Sequence, residues 1–225
     1  MGDYLNLVRS YDVLGAFWVN IQLAFWAAIL ALALGSVLAL FRISPIPTLR
    51  WAGGAYVTVF RNTPLTIIMV FMVLGAWGQL SVSLSTDFNS NFFRLAVVGL
   101  AVYHAAFVCE AIRSGVNTVP IGQAEAARAI GLPFLASARL IILPQAFRGS
   151  IAPLGNVMIA LIKNTTVAAA ASVATETSSV MKTMIEFNSS YIYAIFLTFA
   201  IGYVILVTPV GLASTYFSQR LAVRR

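Results

Sequence analysis

Long apolar runs separated by short polar connections organise this chain from end to end. Leu14 to Phe41 holds no charged residue before Arg42 interrupts it, and a membrane-crossing helix needs roughly 20 mostly apolar residues. Runs of this kind predict spans near 14–41, 52–80, 92–113, 151–172 and 191–217, that is, an all-α integral membrane fold of about five transmembrane helices. The first run is not a cleaved leader, whose apolar core is only about 7–15 residues; here more membrane sequence follows. The connections are 42–50, with two prolines, 81–91, rich in Ser and Asn, 114–150 and 174–190. Only 114–150 is expected to be long enough to hold folded structure, and residues 1–225 read as a single transmembrane domain.

Composition strengthens this picture. Hydrophobic residues make up 60% of the 225 and charged residues 9%, against about a quarter charged in an ordinary soluble domain. The net charge of +7 would suggest nucleic acid in a soluble protein, but the basic residues stand singly between apolar runs, so no nucleic-acid partner is expected and membrane lipid is. They report topology instead, because Lys and Arg are retained on the cytoplasmic side. With an odd number of spans and the C-terminus inside, Arg42, Arg50, Arg113, Arg128, Arg139, Arg148, Arg220, Arg224 and Arg225 fall on the inner side. The outer side receives Arg9, Arg94 and Lys182, with Asp3, Asp12, Asp87, Glu176 and Glu186. The N-terminus is therefore expected outside, and 114–150 is the longest cytoplasmic connection. The single cysteine, Cys109, excludes an intramolecular disulfide and a metal cluster; it reads as a small buried residue.

Within 114–150, Gln123 to Ile130 is alanine-rich and predicts a helix. Gly131 can adopt the left-handed conformation that ends a helix, and Pro133 cannot continue it. Ala124, Ala126, Ala127 and Ala129 keep the helix slender enough to enter a groove on a partner, with Glu125 and Arg128 to fix register. The plainer reading is an interfacial helix that joins two spans. No phosphate-cradling loop with its lysine is present, so any ATPase is another polypeptide. No internal repeat of the kind secondary transporters often carry stands out.

Glu125-Ala126-Ala127, three residues, Gly131, nine residues, Ile141, one residue, then Leu143-Pro144 resembles the full "EAA" loop of prokaryotic ATP-binding-cassette importer permeases. Arg61-Asn62-Thr63-Pro64-Leu65, Glu110-Ala111-Ile112-Arg113-Ser114-Gly115, Gly122-Gln123 and Lys163-Asn164-Thr165-Thr166 look like the signature segments of the polar amino acid group, which includes histidine, glutamine, arginine and glutamate permeases. The likeness runs from about residue 14 to 220, and the fit to glutamate-type members is closest. Thr166 departs from it, standing where the group more often has serine and then leucine.

The resemblance implies a type I importer permease in the prokaryotic plasma membrane, itself no enzyme and without a cofactor. ATP and magnesium would be bound by partner ATPase subunits, whose cleft would receive a coupling helix carrying Gln123, Glu125, Ala126, Ala127, Arg128 and Gly131. A second permease chain, identical or homologous, and an extracellular or periplasmic solute-binding protein complete the implied assembly. An autonomous channel or ion-coupled carrier is the alternative, but paired intramembrane carboxylates are not apparent. An intramembrane enzyme would need a catalytic constellation that His104 alone does not provide.

Polar residues inside the runs are the candidate amino acid contacts, since an ionisable side chain in hydrocarbon costs at least about 2.5–3.5 kcal/mol. Lys163, twelve residues along from Ile151, lies roughly 18 Å deep at helical rise unless it snorkels to the outer interface. Asn164 and Thr165 follow it. Arg61, Asn62 and Thr63 precede Pro64, which breaks the second run: either the span is kinked there, or 51–60 lies along the membrane surface and the span begins near Arg61. His104 either senses protons or substrate or is paired between helices. Glu110 and Arg113 read as a structural i, i+3 pair. Trp18, Trp26, Trp51 and Trp77 suit an aromatic belt. Arg61 and Lys163 favour a ligand with carboxylates, hence glutamate or aspartate, with glutamine next.

Overall fold

A computed structural model describes residues 2–221; Arg224 and Arg225, which enter the charge count above, lie outside the described residues. Among these the chain is helical and contains no strand. The order is α1 (Gly2–Ser10), α2 (Val13–Ile43), α3 (Pro47–Asn62), α4 (Leu65–Val70) continued by a π-helical stretch Phe71–Trp77, α5 (Phe88–Val116), α6 (Ile121–Ala129), α7 (Phe134–Ser137) with a π-helical turn Ala138–Ile142, α8 (Leu143–Asn164) running into a 3-10 segment Thr165–Ala171, α9 (Thr177–Phe187) and α10 (Ile192–Leu221). Among the described residues four helical stretches are long and apolar enough to cross a membrane, or five if α3 and the α4 stretch count as one interrupted span.

The structure decides one point that was left open and changes one expectation. The run at 52–80 is not one helix: Thr63 and Pro64 are extended, with ψ of 127° and 135°, because proline disfavours a helical conformation in the residue before it and lacks the N–H a helix interior needs. The connection 174–190 is also not structureless, since α9 occupies eleven of its residues. Its helix signal is a start rather than a hydrophobic run: Glu176, extended at φ −80° and ψ 163°, accepts from Ser178 N and Ser179 N and caps the first turn.

The chain divides into two compact units. The first comprises residues up to Ile29, Pro64–Ala101 and Ala160–Pro209; the second comprises Leu30–Thr63, Val102–Ile159 and the chain from Val210. In the first, Val13, Met184, Ile195 and Phe199 form a core over which Tyr4, Leu7, Val8 and Phe17 pack. The Tyr4 hydroxyl lies 2.6 Å from Thr198 Oγ1 and ties α1 to α10. α4 packs on the 3-10 segment, whose Ala168 and Ala171 are buried and small enough to let it approach.

In the second unit the core is Ala31, Leu38 and Ala39 of α2, Val57 of α3, and Ala105, Ala106, Val108, Cys109 and Ile112 of α5. Lipid tails are as apolar as leucine, so helices in a membrane are held by close packing rather than by escape from water. Ala31, Gly35 and Ala39 repeat every four residues on one face of α2 and allow that packing. A Cβ on Gly35 would stand 2.5 Å from Val108 Cγ1.

Candidate coupling helix and polar sites

α6 is the expected alanine-rich helix, shifted to begin at Ile121 behind Pro120. Gly131 has φ +80°, a conformation that costs other L-residues roughly 1–2 kcal/mol. Its N–H donates to Arg128 O at 3.0 Å, and the N–H of Leu132 donates to Ala127 O at 3.0 Å. Those two bonds are the Schellman ending of a helix, in which a left-handed glycine turns the chain so that orphan carbonyls are satisfied. Ala127 is buried, whereas Gln123, Glu125, Ala126 and Arg128 are exposed. Exposed Ile121, Ile130 and Leu135 flank the helix. The segment is thus a short, rigidly terminated helix with charged and apolar groups outward, a surface suited to a partner.

The candidate substrate contacts divide between the units. In the second, Asn62 Nδ2 donates to Thr58 O and Thr63 Oγ1 donates to Val59 O, both at 2.8 Å, so these side chains close the last turn of α3. His104 is buried. Arg61 lies 3.8 Å from Glu110 and its guanidinium stands over the Phe107 ring at 5.8 Å. Glu110 also accepts from Arg113 at 2.9 and 3.3 Å, the anticipated i, i+3 pair, and lies 3.5 Å from Arg42. Periodicity along one helix disclosed the Arg113 contact; those from Arg42 and Arg61 cross between helices, and spacing does not encode them.

In the first unit, Lys163 is exposed, Asn164 half-buried and Thr165 fully buried. Thr165 Oγ1 donates to Ile162 O at 2.7 Å and accepts from Asn20 Nδ2 at 2.7 Å. Asn20 Nδ2 also reaches the Tyr203 hydroxyl at 2.7 Å, and its Oδ1 accepts from Thr177 N at 3.0 Å. Thr177 Oγ1 stands 2.5 Å from the Tyr203 hydroxyl and donates to Glu176 at 3.4 Å. Asn20, Thr165, Glu176 and Thr177 are each at most 1% exposed. Burial pushes the Glu176 carboxyl above the usual range against the opposing pull of its N–H donors. This network knits α2, the 3-10 segment, α9 and α10, and neither Asn20 nor Tyr203 was singled out from the sequence. The clues were Asn20, one of the few polar residues inside the first apolar run, and an acid just before Thr177-Ser178-Ser179.

Beside the network lies a groove of about 320 Å³, lined by Thr166, Thr177, Ser178, Met181, Phe199 and Tyr203 among others. Its lining contains hydroxyls and rings but no cation, so it lacks the charge that holds a carboxylate. Among the described residues no cluster of His, Cys, Asp and Glu could hold a metal ion.

A helical membrane fold whose longest connection carries an exposed, rigidly terminated helix fits a transport component with a partner at that helix, and the likenesses to known proteins identify the family. The chain belongs to the family of binding-protein-dependent transport system inner membrane components, whose pattern matches residues 31–223. It is 46% identical over 219 residues to the glutamate transport system permease protein GluC of Corynebacterium glutamicum, covering 95% of this chain and 96% of that protein. It is 32% identical over 221 residues to the probable glutamine ABC transporter permease protein GlnM of Bacillus subtilis, covering 96% and 98%. Its fold matches a crystal structure of an amino acid ABC transporter with a TM-score of 0.77 and 24% identity, over 98% of this chain and 96% of that one. The fold is that of a type I ABC importer permease, and the chain is a multi-pass inner-membrane protein.

Proposed function

We propose that this chain is the membrane-spanning subunit of an ATP-driven importer for glutamate, with aspartate and glutamine as further substrates. The observation that carries the substrate is the nearly full-length 46% identity to a glutamate transport permease. In this reading α6 is the coupling helix. Glu125 and Arg128 set its register in a cleft of a separate ATPase, Ile121 and Ile130 add apolar contact, and Gly131 fixes the exit of the chain. The N-terminus is outside, the C-terminus and 114–150 are cytoplasmic, and a solute-binding protein delivers the amino acid to the outer side. A second permease chain, identical or homologous, pairs with this one. ATP and magnesium are held by the ATPase. Closure of the motor shifts the permease between two conformations because it holds α6 differently in each, and without such differential contact no equilibrium would move.

Lys163 and Asn164 are the proposed contacts for the amino acid, the ammonium meeting a carboxylate. The exposure of Lys163 and the absence of an acidic partner for it among the described ion pairs support that role. Thr165 serves them indirectly, by anchoring the 3-10 segment to Asn20.

Two measurements test the proposal. Glu125→Arg and Gly131→Pro each lower the ATPase that co-purifies with the chain by about tenfold or more, a loss of about 1.4 kcal/mol in the interface; unchanged recovery with both refutes the coupling role. Lys163→Ala abolishes glutamate uptake in reconstituted vesicles while subunit assembly and basal ATP hydrolysis persist. Normal uptake removes Lys163 from the substrate path.

A further inference from the structure

Three arginines gather on one carboxylate in the second unit, and that carboxylate does not occupy them all. Glu110 receives its hydrogen bonds from Arg113, through Nε at 3.3 Å and Nη2 at 2.9 Å, one to each oxygen. Arg42 and Arg61 stand at 3.5 and 3.8 Å, close enough for charge attraction and too far or too oblique for a strong hydrogen bond. Among the described residues neither has a hydrogen-bond acceptor. A guanidinium carries five N–H donors in a planar fork that matches carboxylate and phosphate oxygens. The group is cationic in sum, with three positive charges against one negative. It is also reachable, since the Arg42 side chain is 24% exposed and that of Arg61 47%. Each arginine stands in the last turn of its helix, α2, α3 or α5, where the carbonyl end of the helix dipole tolerates a cation. That accounts for their positions and leaves the donors of Arg42 and Arg61 unused.

We propose that Arg42 and Arg61, beside the Arg113–Glu110 pair, hold a second oxyanion: the phosphodiester of an anionic membrane lipid. α3 selects a lipid over a soluble anion. Its surface exposes Arg50, Trp51 and Val59 alongside Arg61, the combination of basic and aromatic groups that settles a helix at the headgroup level of a bilayer. Phe107 lies under the Arg61 guanidinium, which keeps that fork close to apolar surface where acyl chains run. The site does not depend on which solute the protein moves.

The test uses the full chain in nanodiscs of equimolar phosphatidylglycerol and phosphatidylcholine, transferred to detergent, with retained lipids counted by native mass spectrometry. Wild type retains phosphatidylglycerol in preference to phosphatidylcholine, and the preference falls as salt rises. Arg42→Gln with Arg61→Gln lowers phosphatidylglycerol retention about tenfold, and Arg42→Lys with Arg61→Lys, which keeps the charge and loses the fork, lies between. Absence of headgroup preference in wild type overturns the proposal without any variant. Equal retention by a folded double glutamine variant overturns it as well. Displacement of the lipid by free glutamate, with inorganic phosphate inert, reassigns the site to a soluble carboxylate and overturns the lipid.

Discussion

Glu110 and Glu176 solve one problem in opposite ways, each within its own compact unit. Both are carboxylates drawn partly or wholly out of water, where an unpartnered charge is costly. Glu110 is partly exposed and is neutralised by cations, with Arg42, Arg61 and Arg113 within 4 Å. Glu176 is fully buried, and among the described residues it forms no ion pair; backbone N–H groups at the start of α9 and neutral side chains meet it instead. The contrast teaches what each arrangement permits. A charge cluster with spare donors can accept another ligand, whereas a closed net of neutral hydrogen bonds has its donors spent and can only fix geometry. The first is suited to recognition and the second to holding the 3-10 segment and α9 in place.

Breaking the closed net is the largest effect expected. Glu176→Ala removes an N-cap, about 0.5–2 kcal/mol, and leaves buried donors unpaired at about 1–3 kcal/mol. A loss of roughly 1.5–5 kcal/mol should appear as a lowered midpoint in thermal unfolding of the detergent-solubilised chain. Because burial raises the Glu176 carboxyl above its ordinary 4.5, its sign is that of a group favouring the fold when protonated: stability is greatest below 4.5 and declines as pH rises through the raised value. Glu176→Gln flattens that slope; an unchanged slope would show that Glu176 does not set it.

Glu110→Gln comes next. It leaves three guanidinium groups with a neutral amide, but their partial exposure lets water screen much of the repulsion, so the cost is about 1–2 kcal/mol. It shrinks further at high salt, which separates it from Glu176→Ala, where salt makes no difference. Tyr203→Phe is the smallest change. It deletes a hydroxyl shared between Asn20 and Thr177 and costs about 1 kcal/mol. A Tyr203→Phe loss as large as that of Glu176→Ala would mean that the network acts as one unit rather than as separable bonds.

Much of the architecture was legible in the chain. Apolar run length identified α2, α5, α8 and α10, because a helix that must satisfy its own backbone in lipid needs that length and little else. The left-handed ending of α6 was legible too, because Gly131 and Pro133 act on their own backbone. The interruption at Thr63–Pro64 was visible as a proline, but the sequence left open whether the second run was kinked or divided. α9 was missed because its start is set by one capping acid rather than by a long apolar period. Of the candidate contacts, Lys163 and Asn164 were singled out by their chemistry alone, whereas the bond that buries Thr165 against Asn20 joins residues far apart in the chain and no local pattern announces it.

The sequence by itself determined the local and one-dimensional properties of this protein: membrane character, the long uninterrupted apolar helices, the capped helix in the 114–150 connection, and the pairing of Glu110 with Arg113. The tertiary structure alone decided which distant polar groups meet, joining Asn20 to Thr177 and Tyr203, and Arg42 and Arg61 to Glu110. The physical reason is reach. Caps, turns and i, i+3 pairs act over a few residues whose spacing is written in the chain, while those hydrogen bonds and ion pairs require helices far apart in sequence to pack at one height.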